Sequence, residues 1–283
     1  MSIAKILVPL DGAAQDVTAA TIAIRAAKPF NAHVSAIFAR PDPFEALPLI
    51  GAPLTGEAMQ AIIDGQTEFA ASAAKTARAT LHRVCTSEGV EFVDVPEWRE
   101  AVTCSFREQP GHPAKVVAES ASLSDLVVLG RSARLPQSYE IILDVLLKAQ
   151  RPVLHATEVP DRLFQRVAIG WDGSTCAAHA LFAAMPYLRR AQSVEVVTVD
   201  RGQATDLQDV KDYLKLHGVS CTTRSLHTDH RPIHETLMTH VEASHADTLV
   251  IGGYGHSRVR ETFFGGVTIQ TLLRARIPVF LTH

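Results

Sequence analysis

Lys5-Ile6-Leu7-Val8-Pro9-Leu10-Asp11-Gly12 and Arg166-Val167-Ala168-Ile169-Gly170-Trp171-Asp172-Gly173 decide the fold. Each is a basic residue, a short apolar run and an Asp-Gly pair, and each leads into an Ala-rich stretch, 19–27 and 177–185. An apolar run of β-type residues, stopped by Asp-Gly and followed by strong helix formers, reads as strand, turn and helix. The match continues outward. Segment 32–40 parallels 193–201 as a second strand, 124–130 parallels 246–252 as a fourth, and 151–156 parallels 277–283 as a last. Third strands are expected over 90–95 and 219–226. Helical spacing fills the intervals over 57–88, 112–120, 207–217 (with Gly218 as a C-terminal cap) and 233–244. The period is far too long for a solenoid unit. It describes two homologous domains, 1–158 and 162–283, joined at Glu158-Val159-Pro160-Asp161. Strands alternating with helices imply a parallel sheet covered on both faces. The fold expected is α/β: two tandem Rossmann-like domains, each a five-stranded parallel sheet flanked by helices.

The composition agrees. Of 283 residues, 47% are hydrophobic and 20% charged, enough apolar surface for a packed core. The net charge of −3 offers no general basic excess for a phosphate backbone, so nucleic acid is not an expected partner. No apolar run approaches the ~20 residues of a membrane-spanning helix. Residues 1–5 run straight into a strand without the pattern of a signal peptide. Cys85, Cys104, Cys176 and Cys221 are widely spread with no C-x-x-C pair, which reads as free thiols in a reducing compartment. The expected location is the cytoplasm.

Chemistry concentrates in the loop that follows the strand ending at Gly252. It runs Gly252-Gly253-Tyr254-Gly255-His256-Ser257-Arg258-Val259-Arg260-Glu261-Thr262-Phe263-Phe264-Gly265-Gly266-Val267-Thr268 and opens a helix over 267–275. Ligands of open α/β sheets sit beyond the carboxyl ends of the strands. A helix N-terminus presents free N–H groups and a partial positive charge, and glycine lets the backbone approach oxygens that a Cβ would block. The loop is therefore an anion-site candidate.

With this loop inside a duplicated chain, the sequence resembles the universal stress proteins, over nearly its whole length and in two copies. ATP-binding members of that family carry Gly, two residues, Gly, nine residues, Gly, then Ser or Thr. Gly252, Gly255 and Gly265 fall on that spacing; Gly266 stands where the hydroxyl residue is usual, and Thr268 is the nearest hydroxyl. The resemblance implies the adenine-nucleotide alpha hydrolase-like fold. It also implies ATP or a related adenine nucleotide as ligand, with Mg²⁺ as a companion ion. The residues implied are Asp172, Val199, Gly252, Gly255, His256, Gly265, Gly266, Val267 and Thr268. Asp172 matches the acidic residue on the adenine and ribose side, although Asp-Gly-Ser equally reads as a turn or helix cap. Val199 would pair through its backbone.

The first repeat keeps only Gly130 of the loop pattern, followed by Arg131-Ser132-Ala133-Arg134-Leu135-Pro136. A triphosphate cradle is not expected there, and Asp11 reads as a helix cap. His227, His230 and His234 lack H-x-x-x-H or H-E-x-x-H spacing and read as polar loop residues, not a metal site. No G-x-S-x-G elbow and no Walker-type lysine is present, so at most weak ATP hydrolysis is expected. The reading is a stress-response protein in which an adenine nucleotide in the C-terminal domain acts as a switch or scaffold signal. The internal pairing resembles a dimer, with a further homodimer as an added option. A slow ATPase or nucleotide-using enzyme, and a structural module without ligand, are the alternatives.

Overall fold

The computed structural model describes residues 2–46, 55–131, 135–200, 206–228, 230–253 and 267–283. The chain divides into two compact units, one of Ala4–Ala149 and one of Gln150–His283 together with Met1–Ile3.

The N-terminal unit contains β1 (Lys5–Pro9), α1 (Asp16–Ala27), β2 (His33–Arg40), α2 (Gly56–Glu88), β3 (Glu91–Phe92), β4 (Thr103–Pro110), α3 (Pro113–Ala121), β5 (Leu126–Gly130) and α4 (Leu135–Asp144). Its five strands run in the order β3-β4-β2-β1-β5, all parallel. Ile6, Leu7 and Val8 of β1 and Leu126, Val127 and Val128 of β5 are fully buried, as strands covered on both faces require. The long helix α2 is held at both ends. Thr55 Oγ1 accepts from Ala58 N at 3.2 Å, and Gly89 closes it in the left-handed conformation at φ 68°. Its buried stripe, Ala70, Ala74, Ala77, Leu81, Val84 and Cys85, has the three- and four-residue spacing of one helix face.

The C-terminal unit contains β6 (Val153–Ala156), β7 (Arg166–Gly170), α5 (Thr175–Leu188), β8 (Ser193–Asp200), α6 (Gln208–Leu216), β9 (Thr222–His227), α7 (Ile233–Ala243), β10 (Thr248–Gly252), α8 (Val267–Arg274) and β11 (Val279–Thr282). The order is β6-β11-β10-β7-β8-β9, and all pairs are parallel except β6 with β11. That antiparallel pair joins the final strands of the two sequence repeats, with Leu154 opposite Phe280. Phe164 stacks on Tyr187 at 3.9 Å and Phe280 meets both edgewise, filling the core.

One feature marks the duplication atom by atom. Asp125 Oδ2 accepts from Ala4 N at 2.8 Å and Lys5 N at 2.9 Å, just ahead of β1. Asp247 accepts from Gln165 N at 3.0 Å and Arg166 N at 2.8 Å, just ahead of β7. The acidic residue preceding the fourth long strand of each repeat thus clasps the start of its first. Burial raises the Asp247 carboxyl above the ordinary range, and the donated hydrogen bonds oppose that.

The third strands differ from expectation. In the first repeat 90–95 yields only the two-residue β3, and the full-length third strand is β4. Beyond Cys104 and Phe106, β4 (T-C-S-F-R-E-Q-P) is polar, and only its first three residues are buried, so no apolar run announced it. His33 of β2 joins it instead, with Nδ1 on Thr103 Oγ1 and Nε2 on Ser105 Oγ, each at 2.8 Å. In the second repeat β9 starts at Thr222, because Val219 is buried in the turn after α6, its N–H donating to Leu214 O at 2.9 Å.

Candidate functional site

In the C-terminal unit the carboxyl edge of the sheet gathers the ends of β7, β8 and β10 and the start of α8. Asp172 follows β7, is exposed, and accepts from Ser174 N at 3.0 Å. Ser174 in turn caps α5 by accepting from Ala177 N at 3.1 Å. Cap and ligand roles had both been open for Asp172. The observed cap falls to Ser174, with Asp172 bracing the turn and lying exposed after the end of β7.

Gly252 ends β10 hard against α5. A Cβ built on it would lie 2.4 Å from Ala177 N and 2.6 Å from Cys176 C, backbone atoms that cannot step aside. Glycine here is required by helix–strand contact, which brings the first turn of α5 to the end of β10. Gly253 N continues the ladder by donating to Thr282 O at 2.6 Å. Val199 is half-buried in β8, opposite Leu226. Val267 opens α8 and Thr268 is half-buried in its first turn. The structure therefore puts Asp172, Val199, Gly252 and Thr268 on one edge. Gly255, His256, Gly265 and Gly266 lie outside the described residues.

Two further residues stand on the same edge: Asp200, passed over in the sequence, and His234, which was read as a polar loop residue and lies instead in a helix. Asp200 ends β8 and is nearly buried, and its Oδ1 has no hydrogen-bond partner among the described residues. A buried carboxylate oxygen without a donor is costly and asks for one. His234 sits in the first turn of α7, whose N-terminus faces this edge because the helix runs antiparallel to the strands; its Nε2 is also buried without a partner among the described residues. The signal for Asp200 was present: one acidic residue closing an alternating Val strand at its carboxyl end. Among the described residues no group of three His, Cys, Asp or Glu side chains is placed to hold a metal ion.

The N-terminal unit has its own carboxyl edge. Asp11 does not cap α1. Its Oδ1 accepts from Ala13 N at 3.0 Å, while the loop is closed by Asp16, which accepts from Asp11 N at 3.2 Å and Gly12 N at 2.8 Å. Gly12 is in the left-handed region at φ 83°, and a Cβ on it would lie 2.6 Å from Ala73 O, so α2 crosses directly over this loop.

These features define an α/β protein of the nucleotide-fold class, with parallel sheets and a ligand edge at the carboxyl ends of the strands. Residues 163–283 match the sequence profile of the universal stress protein family, so this domain is of the universal stress type. The likeness of fold extends over the rest of the chain. A universal stress protein from Archaeoglobus fulgidus DSM 4304 is 15% identical, with a TM-score of 0.68 over 98% of this chain and 97% of its own. A functionally unknown protein from Pseudomonas aeruginosa PAO1 is 14% identical, with a TM-score of 0.55 over 99% of this chain and 92% of its own. A candidate universal stress protein from Pseudomonas aeruginosa UCBPP-PA14 is 14% identical, with a TM-score of 0.52 over 99% and 93%. No protein of curated function matches the chain in sequence. Among the described residues no helix is long and apolar enough to cross a membrane.

Proposed function

We infer that the C-terminal unit binds an adenine nucleotide, ATP first among them, and that occupancy rather than turnover carries the biological signal. The observation that bears most on this reading is Asp200. Its buried, unpartnered Oδ1 at the carboxyl end of β8 is an acceptor waiting for a hydroxyl or amine, as a ribose or an adenine edge supplies. Asp172 and the backbone of Val199 complete that polar end. On the other side of β7, the end of β10 and the first turn of α8 lead the chain into and out of the glycine loop, where N–H groups would take the phosphates.

The domains act as proposed at 1–158 and 162–283, with the nucleotide confined to the second. Mg²⁺, if it accompanies the nucleotide, is held by phosphate oxygens, since the described edge offers single carboxylates only. No lysine stands in the loop to neutralise charge on a departing phosphoryl group.

Calorimetry with ATP on the full chain tests this, run beside phosphate release over hours. Binding is expected in the wild type, lost in Gly255→Val and weakened about tenfold or more in Asp200→Asn. Absence of binding in the wild type would favour a structural module. Several turnovers per minute, abolished by Gly265→Val, would favour an enzyme.

A further inference from the structure

The N-terminal unit contains a cleft that no nucleotide reading accounts for. It has a volume of about 100 Å³ and lies where the ends of β1, β2 and β5 meet α1, α3 and α4. β1 stands between β2 and β5 in the sheet, so its carboxyl end is the point at which successive crossovers part to opposite sides. The cleft has two characters. Leu10, Val117, Leu129, Ile141 and Ile142 supply an apolar body. Asp11 and Asp16 supply its only charged groups among the described lining residues.

The acidic end is built rather than incidental. Asp16 is 3% exposed, and its two oxygens are fixed by the N–H groups of Asp11 and Gly12. Asp11 lies beside it, its own carboxylate held by Ala13 N and by Gln15 Nε2 at 3.2 Å. No basic side chain among the described lining residues offsets the pair. The other elements packed here present Ala39 from β2, Pro113 and Val117 from α3, Gly130 from β5 and the two isoleucines from α4. From α2 the contact on the loop is the backbone of Ala73. Arg40 is paired with Glu108 at 4.0 Å, and His112, Arg131 and Tyr139 flank the lining without belonging to it. One feature pulls the other way. The N-terminus of α3 reaches the cleft at Pro113 and carries about half a positive charge. Two carboxyl groups outweigh it, and Pro113 has no N–H to donate.

We propose that this cleft is a ligand site of the N-terminal unit, specific for a small organic ammonium ion with an apolar body, and closed to nucleotides. Size sets the body: a protein cavity of about 150 Å³ holds benzene, so this cleft of about 100 Å³ takes a shorter chain, of about four carbons. Charge sets the head, which lies against Asp11 and Asp16 as a donor to their free lone pairs. A phosphate at the same place would meet two carboxyl groups and, among the described lining residues, no cation. The two repeats thus keep one edge of one fold and turn it to ligands of opposite charge.

A pH signature follows from the same geometry. Burial first, and the neighbouring Asp11 charge second, push the Asp16 carboxyl up to about 7. A bound cation favours its ionised form, so binding expels a proton and tightens as pH rises, by about tenfold between about pH 6 and about pH 8.

The test uses the full chain, with calorimetry and the methyl resonances of Ile141 and Ile142 as readouts. Butylamine is expected to shift those methyls and bind with that pH dependence. Butanol, of the same shape without the charge, should bind at least tenfold more weakly at about pH 8, and butyrate and ATP should leave the methyls unmoved. Asp11→Asn, at an exposed site, should weaken butylamine about tenfold by removing charge. Ala39→Phe should weaken it by filling the cleft. Methyls that ignore butylamine, equal binding of butanol or butyrate, affinity independent of pH, or shifts caused by ATP would each overturn the proposal.

Discussion

At Gly252 a single missing methyl group lets strand and helix touch. Gly252→Ala would place a Cβ 2.4 Å from Ala177 N, between two rigid backbones. The expected cost is about 2–4 kcal/mol of stability of the C-terminal unit, read as a lowered midpoint in chemical denaturation. Gly173→Ala, at φ 74° with no atom near the added Cβ, should cost only about 1 kcal/mol. Asp16 makes a prediction of a different kind. Its carboxyl titrates near 3.8 when unfolded and at about 7 in the fold, so the folded state holds the proton more tightly. That contribution is complete below about pH 4 and is lost as pH rises through about 7. The N-terminal unit should therefore be less stable at about pH 8 than at about pH 5, by on the order of 2 kcal/mol. Thermal melts across that range should show the slope, and Asp16→Asn should flatten it. At this scale the sequence was partly legible. Asp172 and Gly252 could be found because turns and glycine spacing write themselves locally. Asp16 could not, because what distinguishes it is burial, which depends on elements far away in the chain; Asp200 left a local trace as the acidic end of an alternating Val strand, but its burial left none.

Among the elements, α2 separates local signals from tertiary ones. Thr55→Ala removes the side chain that satisfies Ala58 N and should cost about 1 kcal/mol. Leu81→Ala, on the fully buried face, should cost about 2–5 kcal/mol. Urea titrations of the two variants, with equal m-values, would rank packing above capping in this helix; the reverse order would show that α2 is held by its ends. The same division explains what was readable. The span 57–88 was anticipated because helix formers and apolar residues at helical spacing all lie within it. β4 was not, because it pairs along its whole length with β2 while carrying Arg107, Glu108 and Gln109 on exposed or half-buried positions. A strand made by backbone pairing and by hydroxyl contacts to His33 leaves no apolar alternation to read.

For the whole molecule, the duplication was the most legible property, since two copies of one pattern confirm each other. Asp125 and Asp247 clasp their respective first strands through the same pair of amides. The chain's use of its two edges was less legible, because the residues that distinguish an acidic cleft from a phosphate loop are few. If the C-terminal unit binds ATP as inferred, nucleotide at a hundred times its dissociation constant should stabilise that unit by about 2.7 kcal/mol. Amide hydrogen exchange in α5 of the C-terminal unit should slow with ATP, and that in α1 of the N-terminal unit should not follow it. A common slowing of both would mean that the nucleotide's stabilisation is not confined to the second unit.

The short strand β3 has a further consequence. It covers only Thr103 and Cys104 of β4, so among the described residues the outer edge from Ser105 to Pro110 carries no partner strand. A flat apolar edge of that length would recruit another polypeptide and seed fibres. This one carries the charges of Arg107 and Glu108 and ends in a proline that lacks the N–H a newcomer would need. The polarity that hid β4 from the sequence reading is thus what should keep concentrated solutions of the protein clear. Replacing Arg107 and Glu108 by valines should leave the ladder to β2 intact and turn those solutions cloudy on standing, a change that light scattering would follow.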